Sequence, residues 1–159
     1  MADRATADAS HMNGTVRDVL YEFLIPVRSE PTYDPGVELL DVSEEILAKL
    51  RPLCEALPQT RERTVTSGIS FYIRNKTFAF VMAVEDDEGI SSDLLTFRAD
   101  PMERQALVEQ GHPFFALGGG SHNLGVVLDD ATDWVEIGEL LTESYRIVAP
   151  EKLLALLPE

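Results

Sequence analysis

The sequence predicts an α+β domain, an antiparallel sheet packed by helices, with an extra N-terminal helix and arm before it. Three observations carry that expectation. Apolar residues recur at helical spacing in three separated stretches, and between them they alternate with period two. The order then runs helix, strands, short helix, strands, helix, which lays helices on one antiparallel sheet instead of interleaving them with parallel strands. Finally, 159 residues at 45% hydrophobic composition are enough for one core without disulfide staples.

Residues 1–13 are polar, Ala-rich and aperiodic, and are expected to form a disordered arm, with Ser10-His11-Met12 resembling a vector-derived junction. Residues 14–42 are read as an N-terminal helix and linker, and 43–159 as the main domain. In the helix, Val16, Val19, Leu20, Phe23 and Leu24 follow the i, i+3, i+4, i+7, i+8 pattern behind Thr15 as N-cap, and Pro26 ends it. Pro31, Pro35 and Gly36 then favour an extended segment that includes Val37, Leu39, Leu40 and Val42. Ser43 with Glu44 and Glu45 opens a second helix, whose stripe is Ile46, Leu50, Leu53, Cys54 and Leu57, and Pro58 is expected to stop it. Ile69, Phe71 and Ile73 then alternate with polar residues, Asn75-Lys76 is expected to turn, and Phe78 to Val84 is apolar on both faces, as a central strand would be. A third strand is expected at Leu94 to Phe97, and a short helix from Asp100-Pro101 to Gly111. Further strands at Phe114 to Leu117 and Leu124 to Leu128 flank the loop 118–123. Asp133 and Glu136 have capping-box spacing at the start of a helix that turns Ile137, Leu140, Leu141, Ser144, Tyr145 and Val148 inward, and Pro150 begins a last short helix.

Thirteen basic and 28 acidic residues give a net charge of −15. The charge is uneven: residues 49–76 hold six basic side chains, Lys49, Arg51, Arg61, Arg63, Arg74 and Lys76, against Glu55 and Glu62. An acidic whole repels polyanions at long range, yet a local basic patch can still touch phosphates. No run approaches the roughly 18 to 20 apolar residues of a membrane span, and no signal pattern opens the chain, so a cytoplasmic protein without membrane contact is expected. Cys54 is alone, which excludes an internal disulfide and multi-thiolate zinc sites.

Few residues offer chemistry. Cys54 lies on an apolar helix stripe and reads as a small buried hydrophobe, and His112 follows a helix-ending glycine, where a histidine serves the helix dipole. His122 and Asn123 sit in a Gly-rich loop and are the candidate ligand-binding pair, with ordinary solvation as the alternative. The Gly118-Gly119-Gly120 run lacks the following Lys-Ser/Thr and leads into a strand, so it fits neither phosphate-binding fingerprint. Glu85 to Glu88 are adjacent acids without EF-hand spacing. With no catalytic order and no cofactor or metal motif, a non-enzymatic protein is expected. Arg74 and Lys76 flank a hairpin tip, and Arg61 and Arg63 precede it. That is the form of a phosphate-contacting wing, and also of a charged edge that discourages strand pairing.

From Ser43 to Leu157 the chain resembles the MmcQ/YjbR-like family. The resemblance runs through Leu57-Pro58, Phe71, Lys76-Thr77-Phe78-Ala79, Gly111-His112-Pro113-Phe114-Phe115, Leu124-Gly125-Val126, Leu128-Asp129, Asp133-Trp134, and Ser144-Tyr145-Arg146-Ile147-Val148-Ala149-Pro150. It implies a fold similar to the frataxin/CyaY architecture and a DNA-contacting role of the "double wing" kind. This chain departs from the family at Gly120-Ser121-His122-Asn123, where members commonly carry a Lys or Arg followed by Trp. The expected function is a binding module that contacts nucleic-acid phosphates through Arg61, Arg63, Arg74 and Lys76. The alternative is a protein-interaction or small-ligand module, in which the helix at Val16 to Leu24 docks on the domain, on a partner or in a homodimer.

Overall fold

The apolar alternation between residues 69 and 84 becomes the middle of one antiparallel sheet. The computed structural model describes residues 38–65, 68–85, 89, 91–117 and 121–157, with side chains from Asp41 onward. The expected arm and helix before residue 38, the acids 86–88 and the glycines 118–120 lie outside the described residues.

The strands are β1 (Glu38–Leu40), β2 (Arg61–Val65), β3 (Gly68–Ile73), β4 (Lys76–Glu85), β5 (Ser91–Arg98), β6 (Phe114–Ala116) and β7 (Asn123–Leu128). Six of them lie in the order β2-β3-β4-β5-β7-β6, and β1 pairs with the far end of β4. Every pairing is antiparallel. As its two-sided apolar sequence predicts, β4 is central, and it is buried from Phe78 to Val84.

The helices are α1 (Glu44–Glu55), α2 (Pro101–Gln110), α3 (Trp134–Val148) and α4 (Glu151–Leu154). The caps of α2 and α3 form as expected: Asp100 Oδ1 accepts from the Met102 and Glu103 N–H groups, and Asp133 Oδ1 from those of Val135 and Glu136. Gly111 ends α2 at φ 86°, a conformation that favours glycine. At α1 the expectation needs correcting twice. Ser43 holds the N-cap position without a side-chain cap bond, its own N–H instead donating to Asp93 Oδ1 at 3.3 Å. The helix also ends at Glu55, before Pro58, and carries Pro52 inside it. Leu57 stays buried because a tight turn, Leu57 N–H to Cys54 carbonyl at 3.0 Å, carries it under the helix.

Directly opposed residues share a face, so the register sorts the sheet's side chains. Ile69, Phe71, Ala79, Val81, Leu95, Phe97, Leu124 and Val126 point to one side, where they form a single core with the buried residues of all four helices. Ser70, Phe80, Met82, Leu94, Thr96, Phe115 and Val127 point to the other. On that second side Gly125 stands opposite Phe115, and a Cβ at Gly125 would meet the Phe115 ring at 2.4 Å.

Two features of the β2–β4 corner differ from expectation. Residues 61–65 form a strand of their own, which the sequence did not announce because its residues are exposed on both faces and carry no apolar alternation. The turn is Arg74-Asn75, one residue earlier than expected, since Lys76 already pairs with Ile73.

Candidate nucleic-acid interface

The basic residues singled out in the sequence converge on this corner. β2 is an edge strand, and its alternation splits its charges. Glu62, opposite Phe71, faces the helix side and makes a two-pronged ion pair with Arg51 of α1, with Nε and Nη2 within 3.0–3.3 Å of its oxygens. That hydrogen-bonded pairing raises the Arg51 pKa above its ordinary value. Arg61 and Arg63, opposite Tyr72 and Ser70, lie on the second side, and the Arg63 guanidinium sits 5.1 Å over the Tyr72 ring. A cation on an aromatic face is held in place while keeping its charge.

Arg74 occupies the turn at φ 54°, a left-handed conformation that costs a residue with a Cβ about 1–2 kcal/mol. Lys76 follows at the start of β4. Arg61 opposes Tyr72, and Arg74 and Lys76 flank the tip beyond it, so three of the four cations share one end of the sheet, with Arg63 one step along β2. Arg61, Arg63, Arg74 and Lys76 are all exposed, and none is ion-paired to a carboxylate among the described residues.

Sequence reasoning missed one further cation, Arg98, which ends β5 opposite Asn123 on the second side. It is half-buried, its Nε has no hydrogen-bond partner, and burial lowers its pKa. Three strand spacings separate β2 from β5, about 14 Å. A single arginine after an apolar strand carries no spacing signal by which it could have been found.

The other candidate pair, His122 and Asn123, is placed apart from this corner in the sheet order, at the start of β7. The exposed His122 ring lies with Nδ1 3.0 Å from the Ala99 carbonyl, and since a carbonyl only accepts, Nδ1 carries the proton. The Ala99 N–H returns a bond to the His122 carbonyl at 2.9 Å. Asn123 is buried, and its carbonyl accepts from Arg104 Nε at 2.6 Å. Arg104 Nη2 also donates to the Leu117 carbonyl at 2.9 Å, so one guanidinium of α2 ties together the two backbones that flank residues 118–120. These bonds fix a corner between β5, α2 and β7. Cys54 is fully buried, and desolvation pushes its thiol pKa well up. His112 lies half-buried after Gly111. No helix among the described residues is long and apolar enough to cross a membrane.

An α+β domain with one antiparallel sheet, helices on one side and an unpaired basic corner is thus the class that the fold and site define. The YjbR family model matches residues 55–147, more than half of the chain, and the protein belongs to that family. Among solved structures, the crystal structure of a Pseudomonas syringae protein, a Northeast Structural Genomics Consortium target, is similar with a TM-score of 0.51 and 14% identity. The match covers 68% of this chain and 100% of that one. No curated protein matches the chain.

Proposed function

We propose that this YjbR-family protein is a non-enzymatic binding module that contacts nucleic-acid phosphates through Arg61, Arg63, Arg74 and Lys76. One observation carries the reading: four exposed cations gather at one corner without ion pairs among the described residues, in a chain of net charge −15. On the same edge strand Glu62 is turned to the helix side and pairs with Arg51, leaving the four cations uncompensated by it. Contact through exposed Arg and Lys side chains to phosphates carries no sequence information, so the binding proposed is independent of sequence. A cytoplasmic location agrees with the single thiol, which is buried and unpaired.

Four phosphate contacts give a log–log salt slope of about −3.6 on duplex DNA, and losing one contact reduces it by about 1. The test is a fluorescence-anisotropy titration of labelled duplex and single-stranded DNA at low and physiological salt. The Arg74→Glu/Lys76→Glu double variant and the single Lys76→Glu variant run alongside. Binding that weakens with salt and is lost in the double variant supports the module. Absence of binding at low salt, or binding indifferent to salt, overturns it in favour of a protein-partner or small-ligand role.

A further inference from the structure

The sheet has two apolar faces, and the helices lie on one. Phe80, Met82, Leu94, Phe115 and Val127 all belong to the second face, and none is more than 7% exposed. Yet every buried apolar residue of α1 to α4 belongs to the core on the opposite side, and these five do not. Side chains on a bare sheet face stand in water, so burial this complete requires a cover. Among the described residues no helix supplies one. The stretches outside the described residues that interrupt or end the domain are at most three residues long, whereas 37 residues precede β1.

We propose that the chain's own N-terminal segment is this cover, laying Val16, Val19, Leu20, Phe23 and Leu24 across Phe80, Met82, Leu94, Phe115 and Val127. The lengths agree. Residues 15–24 as a helix span about 15 Å, and the four strands β4, β5, β7 and β6 cross about 14 Å at ordinary spacing. The described chain begins at Glu38 paired with Glu85, beside Val84, which the register also places on the second face. Thirteen residues between Leu24 and Glu38 reach up to about 43 Å, ample to return to the middle of the sheet. The stripe has the apolar width a docked helix needs, and a face of five large apolar side chains is the counterpart it lacks in its own segment. The segment precedes residues 55–147, which the family model matches. The apolar part of the second face, across β4, β5, β7 and β6, is thereby covered by the protein itself, while Arg61 and Arg63 on the edge strand β2 stay exposed.

Hydroxyl-radical footprinting read by mass spectrometry on the full chain tests this. In the wild type, Met82 and Phe115 should be as protected as Phe71 and Phe97 of the helix-side core. Leu20→Glu/Phe23→Glu should raise oxidation of Met82 and Phe115 several-fold while Phe71 and Phe97 stay protected. Arg17→Ala/Glu22→Ala, off the apolar stripe, should change nothing. Leu20→Ala, which leaves the helix-side core intact, should give a smaller rise at the same two residues, and it decides the matter if the double variant uncovers all four. Unchanged protection in both Leu20 variants overturns the proposal. So does protection of Met82 that disappears when the wild type is diluted through a dimer–monomer transition, which would make a second copy the occupant.

Discussion

Asp93 places a carboxylate on the helix side of β5, between Ala83 and Leu128 on the neighbouring strands. Burial is the larger influence and raises its pKa, while the bond from the Ser43 N–H partly opposes the shift. A carboxyl whose folded pKa lies above its unfolded value of about 3.9 favours folding while it is protonated. That contribution is complete below the unfolded pKa and is lost as pH rises through the folded one. Asp93→Asn keeps an oxygen acceptor for Ser43 and removes the charge. It should leave stability nearly unchanged near pH 3 and raise it at pH 7, read as the urea midpoint at each pH. A variant less stable than wild type at pH 7 would show instead that the carboxylate's charge supports the start of α1. Cys54 makes the same physics visible in a thiol: full burial suppresses the thiolate, and with it the nucleophilicity a catalytic role would need.

At the scale of elements, two hydroxyls of α3 tie it down, one to the sheet and one to the connection between α1 and β2. One step past the last registered pair of β4 and β5, Ala79 opposite Phe97, the Ser144 hydroxyl stands between the strands. It donates to the Phe78 carbonyl at 2.6 Å and accepts from the Arg98 N–H at 2.9 Å, a relay in place of a direct backbone bond. Its neighbour Tyr145 donates to the Pro58 carbonyl at 2.6 Å and meets the Phe78 ring edge-on at 5.6 Å. Ser144→Ala leaves two buried backbone groups without partners and should cost about 2–3 kcal/mol in urea denaturation. A loss below about 0.5 kcal/mol would mean that the two strands close the gap directly. These residues explain what was legible. The string from Ser144 to Pro150, on which the family resemblance rests most, is legible because it welds helix to sheet. For the same reason it identifies a fold and is silent about a ligand. The caps Asp100 and Asp133 and the inward face of α3 were equally plain, since capping and periodicity are local signals. What stayed hidden was non-local. β2 exists because Arg61–Val65 finds β3, and Arg98 becomes half-buried because of what lies around it, neither of which a spacing rule contains. The turn was misplaced by one residue because asparagine is the better left-handed residue, yet the strand register puts Arg74 there.

For the whole molecule, the uneven charge predicts two salt dependences of opposite sign, one of stability and one of the proposed DNA contact. Of 28 acidic side chains, 16 fall in residues 77–159 against four basic ones, so the compact state carries substantial self-repulsion. Raising ionic strength from about 0.01 M to about 0.15 M shortens the screening length from about 30 Å to about 8 Å. That relieves repulsion spread over a domain of this size while leaving short contacts such as Arg51–Glu62 in place. Thermal stability should therefore rise with sodium chloride over the range in which the proposed affinity for DNA should fall. The Arg74→Glu/Lys76→Glu variant separates the two. It adds four negative charges to the balance, so it should be less stable than wild type at low salt and recover more of its melting temperature on salt addition, while binding no DNA at any salt. Calorimetric melts of both proteins at 10, 50 and 150 mM salt, roughly spanning that screening range, check the first part, and the anisotropy titration checks the second. A wild type whose melting temperature falls with salt would mean that its surface ion pairs outweigh its net charge. The basic corner would then be a means of holding an acidic domain together, with no phosphate needed to explain it.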